Sequence, residues 1–223
     1  MLKSRWLLLF FVTLLADISL IAMHMDSYRY ATKPLLMVIL AVYFFQNSSL
    51  VPRSQRIMMY AALFFSFSGD VLLLSDHLFL PGLGSFLLAH LCYIGYLLRI
   101  RYSNPPVPLC KYPVIFLNAA AVIAFILFLL PTLGNMTIPV IVYALAISIM
   151  LQSALHAFHL RSQPAGWYCV LGALLFVISD SLIATGKFHG PIPGGDILVM
   201  LTYGLAQAGL VYGGARHYRD FLM

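Results

Sequence analysis

Residues 63–76 read LFFSFSGDVLLLSD. The run is apolar enough to sit in a bilayer, yet it carries Asp70 among phenylalanines and leucines. Residues 174–184, LLFVISDSLIA, repeat the arrangement with Asp180. Composition extends this reading to the whole chain. It is 62% hydrophobic and 9% charged, against roughly 25% charged residues in a soluble domain. Apolar runs near twenty residues recur from end to end, too many for one soluble core, so the chain reads as a polytopic membrane protein. The runs are continuous rather than alternating, which predicts helices and not a barrel.

The fold class is therefore all-α, a single transmembrane domain over residues 1–223 with eight expected spans. They fall at about residues 5–23, 33–47, 57–75, 82–100, 112–130, 137–157, 166–186 and 196–215. Each approaches the roughly 20 residues that cross a bilayer core. The start, MLKSRWLLLFFVTLLADISLIA, has the basic head and apolar run of a signal peptide; with seven spans behind it, it reads as an uncleaved first helix.

Thirteen Lys and Arg against seven aspartates, with no glutamate, give a net charge of +6. The basic residues lie in short loops and at the termini, so they orient the chain rather than bind nucleic acid. Eight spans put ten of them on the side of the termini: Lys3, Arg5, Arg53, Arg56, Arg99, Arg101, Lys111, Arg161, Arg216 and Arg219. Arg29, Lys33 and Lys187 face the other side. Both termini are thus expected in the cytoplasm, in an inner membrane if the source is bacterial and in the endoplasmic reticulum if it is eukaryotic. Cys92, Cys110 and Cys169 lack metal or disulfide spacing and read as small core residues. His156 and His159 share a helix face at the cytoplasmic end of span 6, where a solvated helix end explains them; no metal or cofactor is expected.

At an offset of 110 residues Asp70 matches Asp180 and Tyr93 matches Tyr203; at 105, TKP (32–34) matches TIP (137–139). This pattern suggests two parallel four-helix repeats.

At 1.5 Å per residue, Asp70 and Asp180 each lie roughly 10 Å below the non-cytoplasmic boundary, and His90 about 12 Å. Tyr143 and Tyr203 come in to roughly 6–10 Å, with Gln207 a turn deeper. Asp17 approaches the same level from span 1, and Lys33 opens span 2 with a side chain long enough to reach inward. Polar groups from seven spans thus meet in one layer. Buried charges of this kind cost several kcal/mol unless they face a wet or paired interior, so the layer reads as a polar cavity. For Asp17 the competing explanation is a packing ion pair with a lysine, and for His90 a hydrogen-bonded core histidine.

Two carboxyls sharing a low-dielectric cavity do not both ionise readily. One keeps its proton beside one carboxylate, which is the equipment of general acid catalysis on acetal-like bonds. Ser179, next to Asp180, points to a different helix face and makes a poor nucleophile–base pair.

Five stretches in order carry a family resemblance: TKPLLM (32–37), SFSGDVLLL (66–74), FLLAHLCYIGYL (86–97), GALLFVISDSLIA (172–184) and YGLAQAGLVY (203–212). The chain resembles the lysoplasmalogenase, or YhhN-like, family across spans 2 to 8. The resemblance implies hydrolysis of the vinyl ether bond of a lysophospholipid, the lysoplasmalogen, drawn from the membrane. The products would be a fatty aldehyde and glycerophosphoethanolamine or glycerophosphocholine. The family's two acidic positions fall on Asp70 and Asp180. His90, Tyr93, Tyr143, Tyr203, Gln207 and Asp17 would then position substrate and water, and Lys33 would meet the lipid phosphate. A small-solute or proton-coupled transporter using the same aspartates is the rival reading.

Overall fold

The computed structural model describes residues 5–104 and 112–221. Lys3, Cys110 and Lys111 lie outside the described residues. The chain is helical: α1 Arg5–Ala22, α2 Asp26–Asn47, α3 Arg53–Leu72, α4 Phe79–Ser103, α5 Tyr112–Leu133, α6 Thr137–Ala157, α7 Gly166–Phe188 and α8 Gly195–Phe221. Short 3-10 turns, Asp76–Leu78 and Gly134–Met136, precede α4 and α6.

Among the described residues, five stretches are long and apolar enough to cross a membrane: Arg5–Ala22, Phe79–Ser103, Pro113–Ala157, Gly166–Phe188 and Gly195–Asp220. The third has 45 residues and would reach about 68 Å if straight, over twice a bilayer core. It is broken at Gly134, whose φ of +50° is the left-handed backbone that ends a helix and that glycine adopts without strain.

Two helices differ from their expected limits in ways that move the site. The apolar run suggested a second span opening at 33, with Pro34 in its first turn. Instead α2 begins at Asp26 and carries Pro34 in its interior. Pro34 forfeits only one intrahelical hydrogen bond, and the helix continues outward as a polar segment bearing Asp26 and Arg29. The third span was expected at 57–75, but α3 runs Arg53–Leu72, leaving Asp70 in its last turn. The chain then passes through residues 73–75 into the 3-10 turn.

The strongest packing is between α7 and α8 and between α3 and α4, with α4 also against α6 and α1 against α2. The α7–α8 seam is backbone on backbone. A Cβ on Gly172 would stand 2.8 Å from the Ala206 carbonyl oxygen, and one on Gly209 2.8 Å from that of Tyr168. Small residues permit this approach, which lipid-exposed helices use in place of a hydrophobic drive. Leu8, Val12, Phe45, Phe64, Phe116 and Ile149 face outward, while Asp17, Ser66, Asp70, His90, Ser179 and Gln207 are fully buried. Apolar outside and polar inside is the order that hydrocarbon solvent imposes.

Candidate active site

A cavity of about 530 Å³ opens at the end of the bundle where α2 and α8 begin and α7 ends. Asp26, Arg29, Lys187 and Asp196 line its mouth region; Lys33, Asp70, Asp180 and Tyr203 line it further in, with Phe86 and Met200. Four of the residues singled out by sequence thus meet in one space.

The two aspartates have different surroundings. Asp70 is wholly buried; Lys33 Nζ stands 3.7 Å from Oδ1, and the Tyr203 hydroxyl donates to Oδ2 at 2.7 Å. Behind it runs a directional chain. The Tyr93 hydroxyl donates to Gln207 Oε1 at 2.5 Å, and Gln207 Nε2 donates to Ser66 Oγ at 2.9 Å and to the Tyr203 oxygen at 3.3 Å. Tyr93 and Gln207 therefore lie a layer below the cavity, where they fix Tyr203. Ser66 joins this layer unforeseen. Its one signal in the sequence is its place four residues before Asp70, on the same helical face.

Asp180 has no lysine or arginine within ion-pair distance among the described residues. The Tyr143 hydroxyl donates to Oδ2 at 2.5 Å, and His90 Nε2 stands 3.8 Å from the same oxygen. His90 Nδ1 lies 2.7 Å from the Phe86 carbonyl oxygen. That oxygen can only accept, so Nδ1 carries a proton. Neutral His90 then turns an acceptor nitrogen toward Asp180. A proton on either Asp180 or Nε2 satisfies the pair, whereas with neither it leaves two lone pairs facing each other in a buried site. His90 is packed edge-to-face against Tyr143 and Phe176.

Asp17 does not line the cavity. Thr32 donates to its Oδ1 at 2.5 Å, and Arg29 Nε lies 3.7 Å from its Oδ2. The packing ion pair exists, but with an arginine that also reaches Asp26 at 3.5 Å. Asp17 therefore meets the cavity only through Arg29. Arg29 lies outside the expected second span, which opened at residue 33, whereas α2 begins seven residues earlier, at Asp26. Ser179 donates to the Val199 carbonyl at 3.2 Å, facing α8 and away from any base. No group of three or more potential metal ligands occurs among the described residues.

Comparison with known proteins identifies the family. The profile described as the YhhN family matches residues 28–214.

The chain belongs to the YhhN family.

Curated relatives of this YhhN protein include the lysoplasmalogenase of Mycobacterium bovis, 39% identical over 132 residues, which is 57% of this chain and 48% of the relative. The human lysoplasmalogenase TMEM86B is 32% identical over 146 residues, 66% of this chain and 58% of the relative. The chain thus spans about half the length of the curated relatives it matches. No solved structure matches it. The YhhN match covers every cavity-lining residue from Arg29 to Tyr203 and leaves out Asp26 and Ser27, as well as Asp17, which does not line the cavity.

Proposed function

We propose that the protein is a lysoplasmalogenase, hydrolysing the vinyl ether bond of a lysoplasmalogen to a fatty aldehyde and glycerophosphoethanolamine or glycerophosphocholine. The observation that carries the reading is one cavity lined by two unlike carboxyls: Asp70 beside a lysine, Asp180 beside a histidine and a tyrosine. The names of the relatives point the same way.

In this reading Asp70, with Lys33 Nζ 3.7 Å away, serves as the carboxylate, and Asp180, held by Tyr143 and facing His90, serves as the acid. Asp180 delivers its proton to the β-carbon of the vinyl ether, and the positive charge that develops is shared between the α-carbon and the ether oxygen. The Asp70 carboxylate stabilises that cation and orients the water that attacks the α-carbon. The attacking water surrenders a proton, which restores the acid. The hemiacetal then collapses, its hydroxyl proton leaving as the glycerol oxygen is protonated and departs. His90 and Tyr143 hold the Asp180 carboxyl, and Tyr203, backed by Gln207 and Tyr93, holds Asp70. Lys33 adds a positive charge in the cavity that suits a lipid phosphate. No metal or cofactor is needed for this chemistry.

In this reading α2 and α3 join the five apolar stretches, and Pro113–Ala157 crosses twice, giving eight spans with both termini in the cytoplasm. The cavity then opens toward the other side, at the depth of a lysolipid headgroup.

The test is purified protein in detergent with a lysoplasmalogen or its saturated alkyl ether analogue. Aldehyde should appear only from the former, because the latter has no double bond to protonate. No aldehyde from either, together with solute flux in sealed vesicles, would favour the transporter instead.

A further inference from the structure

A second, smaller chamber of about 40 Å³ is lined by Asp180 and by other residues of α4, α6 and α7, with Leu73. Leu83, Val140, Ala184 and Phe188 line it and not the main cavity. Apart from the Asp180 carboxyl and the Tyr143 hydroxyl, every side chain around it is hydrocarbon or aromatic. Asp180 and Phe86 belong to both chambers, whereas Asp70 lines only the larger. Phe79, also shared, stacks edge-to-face with Phe188 at 6.1 Å on the side of Lys187, whose ammonium lies 5.2 Å from the Phe79 ring centre.

This position has a chemical meaning if the main cavity is the hydrolytic site, the reading on which the inference rests. The carbon that accepts the proton in a vinyl ether is the second from oxygen, on the side of the hydrocarbon tail. The acid must therefore stand where the polar chamber gives way to an apolar one, and among the carboxyls lining the main cavity only Asp180 does so. We propose that this apolar annex is the tail subsite, receiving the first carbons of the substrate's alkenyl chain past Asp180. The headgroup stays in the larger cavity. The obvious competitor is the apolar groove between α2 and α3, lined by Ala41, Phe64 and Phe67 among others. It shares no lining residue with the main cavity and touches neither aspartate.

Two measurements test this. The first is the ratio of kcat/KM for a long-chain lysoplasmalogen to that for an ethenyl analogue, whose chain ends at the proton-accepting carbon. Ala184→Phe and Leu83→Trp, which fill the annex, should lower the ratio by about tenfold or more, while Ala41→Trp in the outer groove should leave it as it was. An unchanged ratio in folded annex variants, or a fall confined to Ala41→Trp, overturns the proposal. The second uses the unaltered protein and so survives variants that do not fold. A non-hydrolysable alkyl lysolipid with a diazirine next to its ether oxygen should label α4, α6 or α7 around residues 83, 140, 184 and 188. Labelling confined to α2 and α3 overturns it. If the unaltered protein turns over no vinyl ether at all, the hydrolase reading fails, and the photolabel still decides whether the annex accepts a lipid tail.

Discussion

Replacing the two aspartates one at a time should separate catalysis from stability, because only one of them answers a buried cation. Asp180→Asn keeps the side chain's shape. The new amide oxygen can stand where Oδ2 now accepts from Tyr143 at 2.5 Å; His90 Nε2 faces that same oxygen at 3.8 Å, so the new NH2 takes the Oδ1 position in a side chain that lines the cavity. No existing hydrogen bond is lost, so the fold should hold within about 1 kcal/mol, yet the acid is gone and kcat should fall by about 10²–10⁴. Asp70→Asn behaves differently. Lys33 Nζ lies 3.7 Å from Asp70, with the lysine side chain 13% exposed and the aspartate 0%. At an effective dielectric constant of about 20 such a pair attracts by about 4 kcal/mol, and removing one partner of a buried pair costs about 3–5 kcal/mol. Asp70→Asn should therefore lose both activity and stability. The double variant Lys33→Met with Asp70→Asn removes both charges and should regain most of the lost stability, with no return of activity. Aldehyde release and thermal unfolding of detergent-purified protein measure the two effects. Asp180 is not the acid, or Lys33 not the stabilising partner, if Asp180→Asn unfolds as readily as Asp70→Asn, if it retains activity within threefold of the parent, or if the double variant is no more stable than Asp70→Asn.

Tyr143→Phe removes a donor to the Asp180 carboxyl and should lower kcat with little change in KM, since the tyrosine holds the acid rather than the headgroup. Arg29→Met strands Asp17 beside Thr32 alone and should destabilise the protein by about 3–5 kcal/mol in thermal or denaturant unfolding; Asp17→Asn in the same background should restore part of it. Gly172→Leu would drive a side chain into the backbone of α8 at Ala206 and Leu210 and should abolish folded yield, whereas Gly84→Ala, which meets nothing within 4 Å, should be neutral in size-exclusion profiles. In a cysteine-free background, Pro193→Cys in the α7–α8 loop should react with an impermeant thiol reagent from outside intact cells, and Ser162→Cys in the α6–α7 loop only after lysis. The reverse pattern would invert the proposed orientation.

The helical, membrane-embedded character of this chain was legible in the sequence because it follows from local quantities. Hydropathy over a twenty-residue window and the rise per residue are properties of one segment, and together they put Asp70, Asp180, His90, Tyr143 and Tyr203 at one level. Helix ends were less legible. Pro34 and the run to Asp76 looked like boundaries, but a single lost hydrogen bond did not outweigh two further turns of α2, and α3 closed at Leu72. Depth along a helix axis says nothing about direction around it. Only the packing of α4 against α6 brings His90 and Tyr143 together at Asp180, across 37 positions of chain in the case of Tyr143. Only the placement of α8 beside α2 and α3 joins Tyr203 to Asp70 across 133. It is also tertiary structure that set Lys33 beside Asp70 and, among the described residues, His90 and Tyr143 beside Asp180, turned Asp17 aside to Arg29, and set the apolar annex against Asp180. Neighbours so distant in sequence leave no periodic trace in it. They are chosen by which helix faces mesh, and that choice belongs to the whole bundle.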